Sequence, residues 1–191
     1  MHAHDFKGLA VIAAAEGEQL GTVARIYLDP DARAITGFAF NAAHGLLQPE
    51  WSPRVDMTHV QSLGPDAVIV GSKDDVQGDR TDERFPDLVE FDDLVGRPML
   101  TTAGESLGKV TDIVFDDQTF EVTEIEISPG RFAGRVTERI EDVVDFGGDY
   151  LMIATRTRHL DVGPASGQEQ TLDDPNRSSN RGGRNADLRD A

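Results

Sequence analysis

Histidines and carboxylates are the side chains of this 191-residue chain that could bind a metal or transfer protons. His2 and His4 form a His-x-His pair, which can bind a metal such as zinc when acidic or thiol ligands accompany it. The sequence shows no such set of partners, so we expect these terminal histidines to be solvated and predict no metal site. The remaining histidines, His44, His59 and His159, are isolated from one another.

Paired aspartates at 74–75, 116–117 and 173–174 could suggest calcium binding. None of the pairs has the alternating spacing and closing glutamate of an EF-hand loop. The run 29–31 (Asp-Pro-Asp) aligns with 116–118 (Asp-Asp-Gln), and both have the composition of a turn between strands. Turn formation is therefore the predicted role of these aspartates.

The chain also lacks the residues of several common catalytic sites. It has no cysteine, which excludes disulfides, thiolate ligands and thiol catalysis. It has no Gly-x-Ser-x-Gly elbow, no phosphate-binding glycine loop and no dinucleotide fingerprint. We therefore predict no catalytic residue and no cofactor, with an enzyme or small-ligand binder built on an unrecognised site as one alternative.

The acidity of the chain limits the partners it can have. Its formal net charge is -17, spread over every segment of the sequence. Such a field repels phosphate backbones and anionic lipids, so we expect no binding to naked nucleic acid. The acidity is explained most simply by solubility, with haloadaptation or a basic protein partner as alternatives, and the identity of the protein partner stays open. There is no basic leader and no run of 18 apolar residues, so we expect no transmembrane segment and a cytoplasmic location.

The elements that would position any site occur twice. GEQLGTVARIYLD at 17–29 and GESLGKVTDIVFD at 104–116 share Gly, Glu, Leu, Gly, Val, Ile and Asp at matching places. Subtracting 17 from 104 gives an offset of 87, which also aligns TGFAFN (36–41) with TEIEIS (123–128). An internal repeat of this kind predicts two similar structural units.

Each unit has the pattern of a small all-β fold. Ile125 and Ile127 alternate with glutamates, and Phe38 and Phe40 have the same parity, which indicates strands with one buried face. The later runs AVIV and YLMI, which align at an offset of 83, indicate strands that are buried more completely. Because a small curled sheet must protect its edges, we predict two tandem β-barrels of five or six strands each.

Four glycines are expected to have structural roles. Gly17 and Gly104 fall between a short and a long strand, where a hairpin turn needs positive φ. Gly21 and Gly108 fall just inside the long strand, where a residue without Cβ suggests a bulge or a barrel corner.

The order of features in the second unit, GRPMLTTAGESLGKVTDIVFDDQTFEVTEIEIS followed by ERIEDVVDFGGDYLMI, resembles the PRC-barrel family. That family includes the cytoplasmic domain of the photosynthetic reaction centre H subunit and the C-terminal domain of the ribosome maturation factor RimM. The first unit is similar but carries the longer insert NAAHGLLQPEWSPR (41–54).

The resemblance implies a docking module with no catalytic residues to carry over. We therefore expect a non-catalytic adaptor or scaffold that binds a protein partner. A ribosome-assembly or RNA-processing factor that binds a basic ribosomal protein is a further alternative.

Composition predicts the domain boundaries. Residues 1–71 and 93–162 form the two barrel units, and the acidic stretch 72–92 joins them as a linker. Residues 163–191 are polar and have few aliphatic side chains, so they are expected to form a disordered tail. Apolar side chains that could dock onto a barrel occur late in the linker: Phe85, Leu88, Val89 and Phe91.

One apolar group is a candidate interaction patch. Leu46, Leu47 and Trp51 lie in the insert of the first unit, and Phe132 lies in the equivalent segment of the second. Trp51, the only tryptophan, can fill the core of a small barrel or anchor a partner, and both interpretations stay open.

Overall fold

The computed structural model describes residues 1–43, 53–78, 88–130 and 134–155. These residues belong to one compact unit that spans Met1–Arg156. Within the described ranges, no helix is long and apolar enough to cross a membrane. The predicted tail 163–191 and the middle of the predicted linker lie outside the described residues.

The first repeat consists of helix α1 and six strands that form one sheet in the order β4-β3-β2-β1-β6-β5. All neighbouring strands are antiparallel except β1 and β6, which are parallel. The elements are α1 (Ala3–Phe6), β1 (Ala10–Ala13), β2 (Glu18–Asp29), β3 (Ala34–Ala42), β4 (Arg54–Asp56), β5 (Val60–Leu63) and β6 (Ala67–Val70). Short 3-10 turns occur at Met57–His59 and Lys73–Asp75.

The second repeat has the same design. Its sheet runs in the order β11-β10-β9-β8-β13-β12, and only β8 and β13 are parallel. The elements are β7 (Val89–Glu90), α2 (Phe91–Leu94), β8 (Pro98–Thr101), β9 (Ser106–Phe115), β10 (Val122–Ser128), β11 (Val136–Arg139), β12 (Val143–Asp145) and β13 (Leu151–Ile153), with a 3-10 turn at Ile140–Asp142. The predicted all-β fold with two tandem units is confirmed.

The alternating sequence pattern corresponds to burial on one face of each sheet. Phe38, Phe40, Ile125 and Ile127 are all buried, as their parity predicts. The run AVIV at 67–70 is different from its prediction, because only its second and fourth residues are buried. At these residues the sheet is packed against the core on one face only. A short continuous apolar run therefore does not by itself indicate burial on both faces.

The first residues of each repeat pair with the long strand of the other repeat. In β7, Val89 and Glu90 pair with Leu28 and Tyr27 of β2. The reciprocal pairing occurs at β9. There the Met1 amino group donates to the Phe115 carbonyl at 2.6 Å, the Phe115 N–H donates back to the Met1 carbonyl at 2.9 Å, and His2 is bridged to Val114. The two repeats thus exchange equivalent segments.

The turns after the two long strands also meet. Ala34 is bridged to Glu121, which are equivalent positions at the offset of 87. The Ile35 N–H donates to the Phe120 carbonyl at 2.9 Å, and the Val122 N–H donates to the Arg33 carbonyl at 2.8 Å. A local two-fold pseudosymmetry therefore relates the two repeats at this junction.

One hydrophobic core extends through both repeats. The Phe6 ring on α1 lies 5.4 Å from the Phe38 ring of its own repeat and 5.9 Å from the Phe115 ring of the other, measured between centroids. Its equivalent on α2, Leu94, is fully buried, as is Phe6. Because apolar burial is the main favourable term in folding, this shared core holds the two repeats in one orientation.

The end of the segment predicted to be a linker takes part in this packing. Val89 pairs with β2, and Phe91 is buried at 3% exposure. Leu88 is half-buried, and Phe85 lies outside the described residues. The chain therefore enters the structure of the second repeat before residue 93.

Candidate functional site at the junction of the two repeats

Two equivalent clefts lie where the repeats meet. The first, which we call the β12 cleft, has a volume of about 490 Å³ and is lined by the turn at Pro30, Asp31 and Arg33, by Val89 and by residues 143–147. The second, the β5 cleft, has a volume of about 540 Å³. Its lining includes Met1, His2, Asp5, Leu63, Pro65 and Asp117.

The β12 cleft combines exposed apolar surface with a fixed wall. Val144 is 57% exposed, and Phe146 is partly buried against the core. An Arg33 guanidinium N–H donates to the Val143 carbonyl at 3.1 Å across the junction. Arg97 donates to the carbonyls of Phe146 and Gly147 at 3.2 Å and 2.7 Å, so hydrogen bonds to two arginines position this wall.

The β5 cleft has different side chains at the equivalent positions. At the offset of 83, Gln61 replaces Val144 in sequence, but the β5 cleft is lined there by Leu63, Gly64 and Pro65 and not by Gln61. The wall of this cleft also includes His2, which belongs to a group of charged side chains beside it. The same backbone arrangement therefore presents two chemically different surfaces.

His2, Asp112 and Glu126 form a cluster that the sequence analysis did not identify. Asp112 on β9 and Glu126 on β10 are direct cross-strand partners, and His2 is placed above them by its pairing with β9. His2 Nδ1 lies 3.4 Å from Asp112 Oδ2 and 3.8 Å from Glu126 Oε1. The expectation that His2 has no acidic partners was wrong, because those partners are more than 100 residues away along the chain.

The equivalent position at the other junction has different residues. Arg25 and Ala39 are the cross-strand partners on β2 and β3, and Glu90 takes the place of His2. Arg25 Nε lies 3.8 Å from Glu90 Oε1. This junction therefore pairs a cation with an anion, whereas the other brings two carboxylates and an imidazole together.

The other histidines and aspartates have separate roles. His4 contributes its backbone N–H to Asp112 Oδ1 at 3.2 Å, and its side chain is exposed. His59 Nδ1 lies 3.1 Å from Asp75 Oδ1 on the first repeat. Asp75 also accepts the Ser72 N–H at 2.7 Å within a capping box. His44, His159 and the aspartates at 173–174 lie outside the described residues.

The aspartates predicted to form turns do so. Asp29 Oδ1 accepts the N–H groups of Asp31 and Ala32 at 2.8 Å and 3.0 Å. Asp116 Oδ1 accepts those of Gln118 and Thr119 at 2.8 Å and 2.9 Å. The hydrogen bonds from Thr119 and then Gln118 lower the pKa of Asp116, since they favour the charged carboxylate.

Both turns end in a residue with positive φ that is not glycine. Arg33 has φ of 53° and Phe120 has φ of 62°. These are equivalent positions, and each contributes its carbonyl to the hydrogen bonds between the repeats. The strained conformation therefore occurs where the two repeats meet.

The four glycines occupy two kinds of position. Gly17 and Gly104 have φ of 62° and 84°, and a Cβ at either would meet no atom within 4 Å. At Gly21 a Cβ would lie 2.0 Å from the Asn41 carbonyl oxygen. At Gly108 it would lie 2.2 Å from the Ser128 carbonyl oxygen. The first two positions need the backbone conformation of glycine, and the second two lack room for any side chain.

The candidate interaction patch falls on parts of the chain that are not described. Leu46, Leu47 and Trp51 lie in the gap between residues 43 and 53, and Phe132 lies in the gap between 130 and 134.

The repeated sheets and their shared junction define a tandem all-β protein. A family model described as PRC-barrel domain matches the chain twice, over residues 1–77 and 86–160. The chain therefore belongs to the PRC-barrel domain family, and the resemblance seen in the sequence is confirmed. No curated protein was found to match the chain.

Proposed function

We propose that this PRC-barrel protein is a non-catalytic adaptor that binds a protein partner in the β12 cleft. The single observation that carries the proposal is the exposed Val144 on a wall held by Arg33 and Arg97. Apolar side chains on a preorganised surface lose little entropy on binding, so they suit a docking site. We also propose that the protein acts in the cytoplasm.

Charge supports a basic partner. Asp31 and Asp145 are exposed at the rim of the β12 cleft, and the guanidinium of Arg33 is directed to a backbone carbonyl. The whole chain carries a net charge of -17, which would steer a basic segment towards it and repel naked nucleic acid. A partner segment with an apolar residue flanked by Lys or Arg fits this surface.

One further observation supports an adaptor over an enzyme, because the PRC-barrel domain family is generally non-enzymatic.

A capture experiment with two matched variants tests the proposal. Val144→Glu places a charge in the β12 cleft, and Val136→Glu places one at a 41% exposed valine on β11, the opposite edge of the same sheet. Both changes are at the surface and should alter stability by no more than about 0.5 kcal/mol. Proteins captured from a native cell lysate are compared for the wild type and the two variants, at low and high salt.

We expect a basic partner that the wild type and Val136→Glu retain and that Val144→Glu loses, with binding weaker by about 2 kcal/mol or more. Higher salt should weaken capture by the wild type. Equal capture by all three proteins would exclude the β12 cleft as the binding site. Turnover of a small substrate with no captured macromolecule would contradict the adaptor itself.

A further inference from the structure

The cross-strand pair Asp112 and Glu126 places two carboxylates directly opposite each other. Like charges directly opposite each other on neighbouring strands are destabilising. The cost is larger here because the Asp112 side chain is 7% exposed and that of Glu126 is 14% exposed. A buried carboxylate is retained only where donors or cations stabilise it.

Protein donors hold one oxygen of each carboxylate. Asp112 Oδ1 accepts the N–H groups of His4 and Ile113 at 3.2 Å and 2.9 Å. Glu126 Oε2 accepts an N–H of Arg135 at 3.1 Å, and the Arg135 side chain is 70% exposed. These contacts fix the orientation of both carboxylates.

The other two oxygens face one nitrogen, His2 Nδ1. Its distances of 3.4 Å to Asp112 Oδ2 and 3.8 Å to Glu126 Oε1 exceed the usual length of an N–H···O hydrogen bond, which is about 2.7–3.2 Å. The three donor atoms all lie within 4.8 Å of one another. They are therefore too far apart to satisfy each other directly and close enough to share a central ion.

The separations match those in a coordination shell. Zinc bonds of about 2.0–2.1 Å to nitrogen and oxygen in a tetrahedron place neighbouring donors about 3.3–3.5 Å apart. The distance from His2 to Asp112 is already in that range, and Glu126 needs only a small side-chain adjustment. The His2 side chain is 42% exposed, which leaves a side of the cluster open to water as a further ligand.

We propose that His2 Nδ1, Asp112 and Glu126 bind a divalent transition metal ion, of which Zn²⁺ is the probe used here. One imidazole with two carboxylates suits zinc, whereas magnesium and calcium prefer oxygen ligands alone. The ion would add positive charge between the two carboxylates, beyond that of Arg135, and tie the first residues of one repeat to β9 and β10 of the other. This proposal departs from the sequence-based expectation of no metal, and it is independent of the proposed adaptor function.

We expect a metal site at the His2 junction and none at the equivalent junction on β2. There Arg25 stands in place of Asp112, Ala39 in place of Glu126 and Glu90 in place of His2. A guanidinium already compensates Glu90, and two of the three ligands are missing. Pseudosymmetry therefore provides an internal negative control.

Zinc titration of the full chain tests the proposal. The protein is prepared without a polyhistidine tag or N-terminal extension, stripped with a chelator, and titrated with Zn²⁺ by calorimetry. His2→Gln and Glu126→Gln each remove one ligand with little change in shape, and Glu126→Gln serves as the second variant if His2→Gln does not fold. His4→Gln and His59→Gln are matched controls, since neither imidazole belongs to the cluster.

We expect saturable one-to-one binding by the wild type and both controls, with affinity weaker by at least about tenfold in His2→Gln and Glu126→Gln. Zinc should also raise the thermal midpoint of the wild type but not of the two ligand variants. The ¹⁵N shifts of the His2 imidazole should move on titration. No saturable binding by the wild type would overturn the proposal, as would binding that survives both ligand variants and is lost in a control.

Discussion

The two junction contacts share a backbone arrangement and differ in charge. Arg25 on β2 faces Glu90 of the other repeat, whereas Asp112 on β9 and Glu126 on β10 face His2. Backbone pairing between the repeats is the same at both places, because it depends on strand geometry and not on side chains. The comparison teaches that the fold accommodates different charged residues at this contact, because the backbone pairing does not depend on them.

The two clefts differ in the same way. The β12 cleft places the exposed Val144 beside Asp31 and Asp145, whereas the β5 cleft places His2 beside Leu63. Duplication therefore places two surfaces of different chemistry on one rigid scaffold. Function in such a protein resides in the side chains added to the common backbone.

The largest expected effect concerns the core that both repeats share. Phe6→Ala should destabilise the protein by about 3–5 kcal/mol and Leu94→Ala by about 2–5 kcal/mol, because each empties a fully buried equivalent position. Each variant should still unfold in one transition, followed by circular dichroism in urea. Two separate transitions, one for each repeat, would show that the repeats have independent cores.

An effect of similar or smaller size is expected at the glycines of the second repeat. Gly108→Ala combines φ of 129° with a Cβ placed 2.2 Å from Ser128 O, so we expect a loss of about 2–5 kcal/mol. Gly104→Ala has positive φ but open space, and should cost only about 1–2 kcal/mol. Urea denaturation measures both. Equal losses would mean that the strand relaxes around the added methyl group.

Removing a charged side chain should lower the free energy of unfolding more at the His2 junction than at the Arg25 junction. Asp112→Ala leaves the N–H groups of His4 and Ile113 without their acceptor and should cost about 1–3 kcal/mol. Arg25→Ala removes a half-exposed ion pair and should cost at most about 1 kcal/mol. Unfolding is measured with a chelator present, so that metal does not contribute. A larger loss for Arg25→Ala would reverse the ranking of the two junctions.

The smallest effect is a pH dependence at the turn after β9. The pKa of Asp116 is lowered by the Thr119 and Gln118 N–H groups, so the folded state favours the charged carboxylate. The resulting stabilisation is present above its ordinary value of 3.8 and is lost as the pH falls through the lowered pKa. A carboxyl ¹³C titration should therefore give a midpoint below 3.8 for Asp116. A midpoint at or above that value would show that the turn does not hold the carboxylate.

Much of the fold could be predicted from the sequence because the deciding interactions are local. The repeat at an offset of 87 is visible from residue identities alone. The alternation at Ile125 and Ile127 and the Asx turn at Asp116 each depend on a few neighbouring residues. The AVIV run was misjudged, because a short apolar stretch does not reveal how many of its faces are covered. The predicted boundary at residue 93 rests on composition, and a strand as short as β7 (Val89–Glu90) has too few residues to show an alternating pattern.

The sequence by itself determined the class of fold, the duplication, the acidic field and the turns. Periodicity and turn chemistry depend on neighbouring residues, and composition and repetition can be read directly from the sequence. Only the tertiary structure decided which residues meet at the junction. His2 reaches Asp112 and Glu126 because the two repeats exchange their first residues, and no spacing in the chain encodes that exchange. Contacts over more than 100 residues depend on how the shared core orients the two sheets, which is a property of packing and not of local pattern.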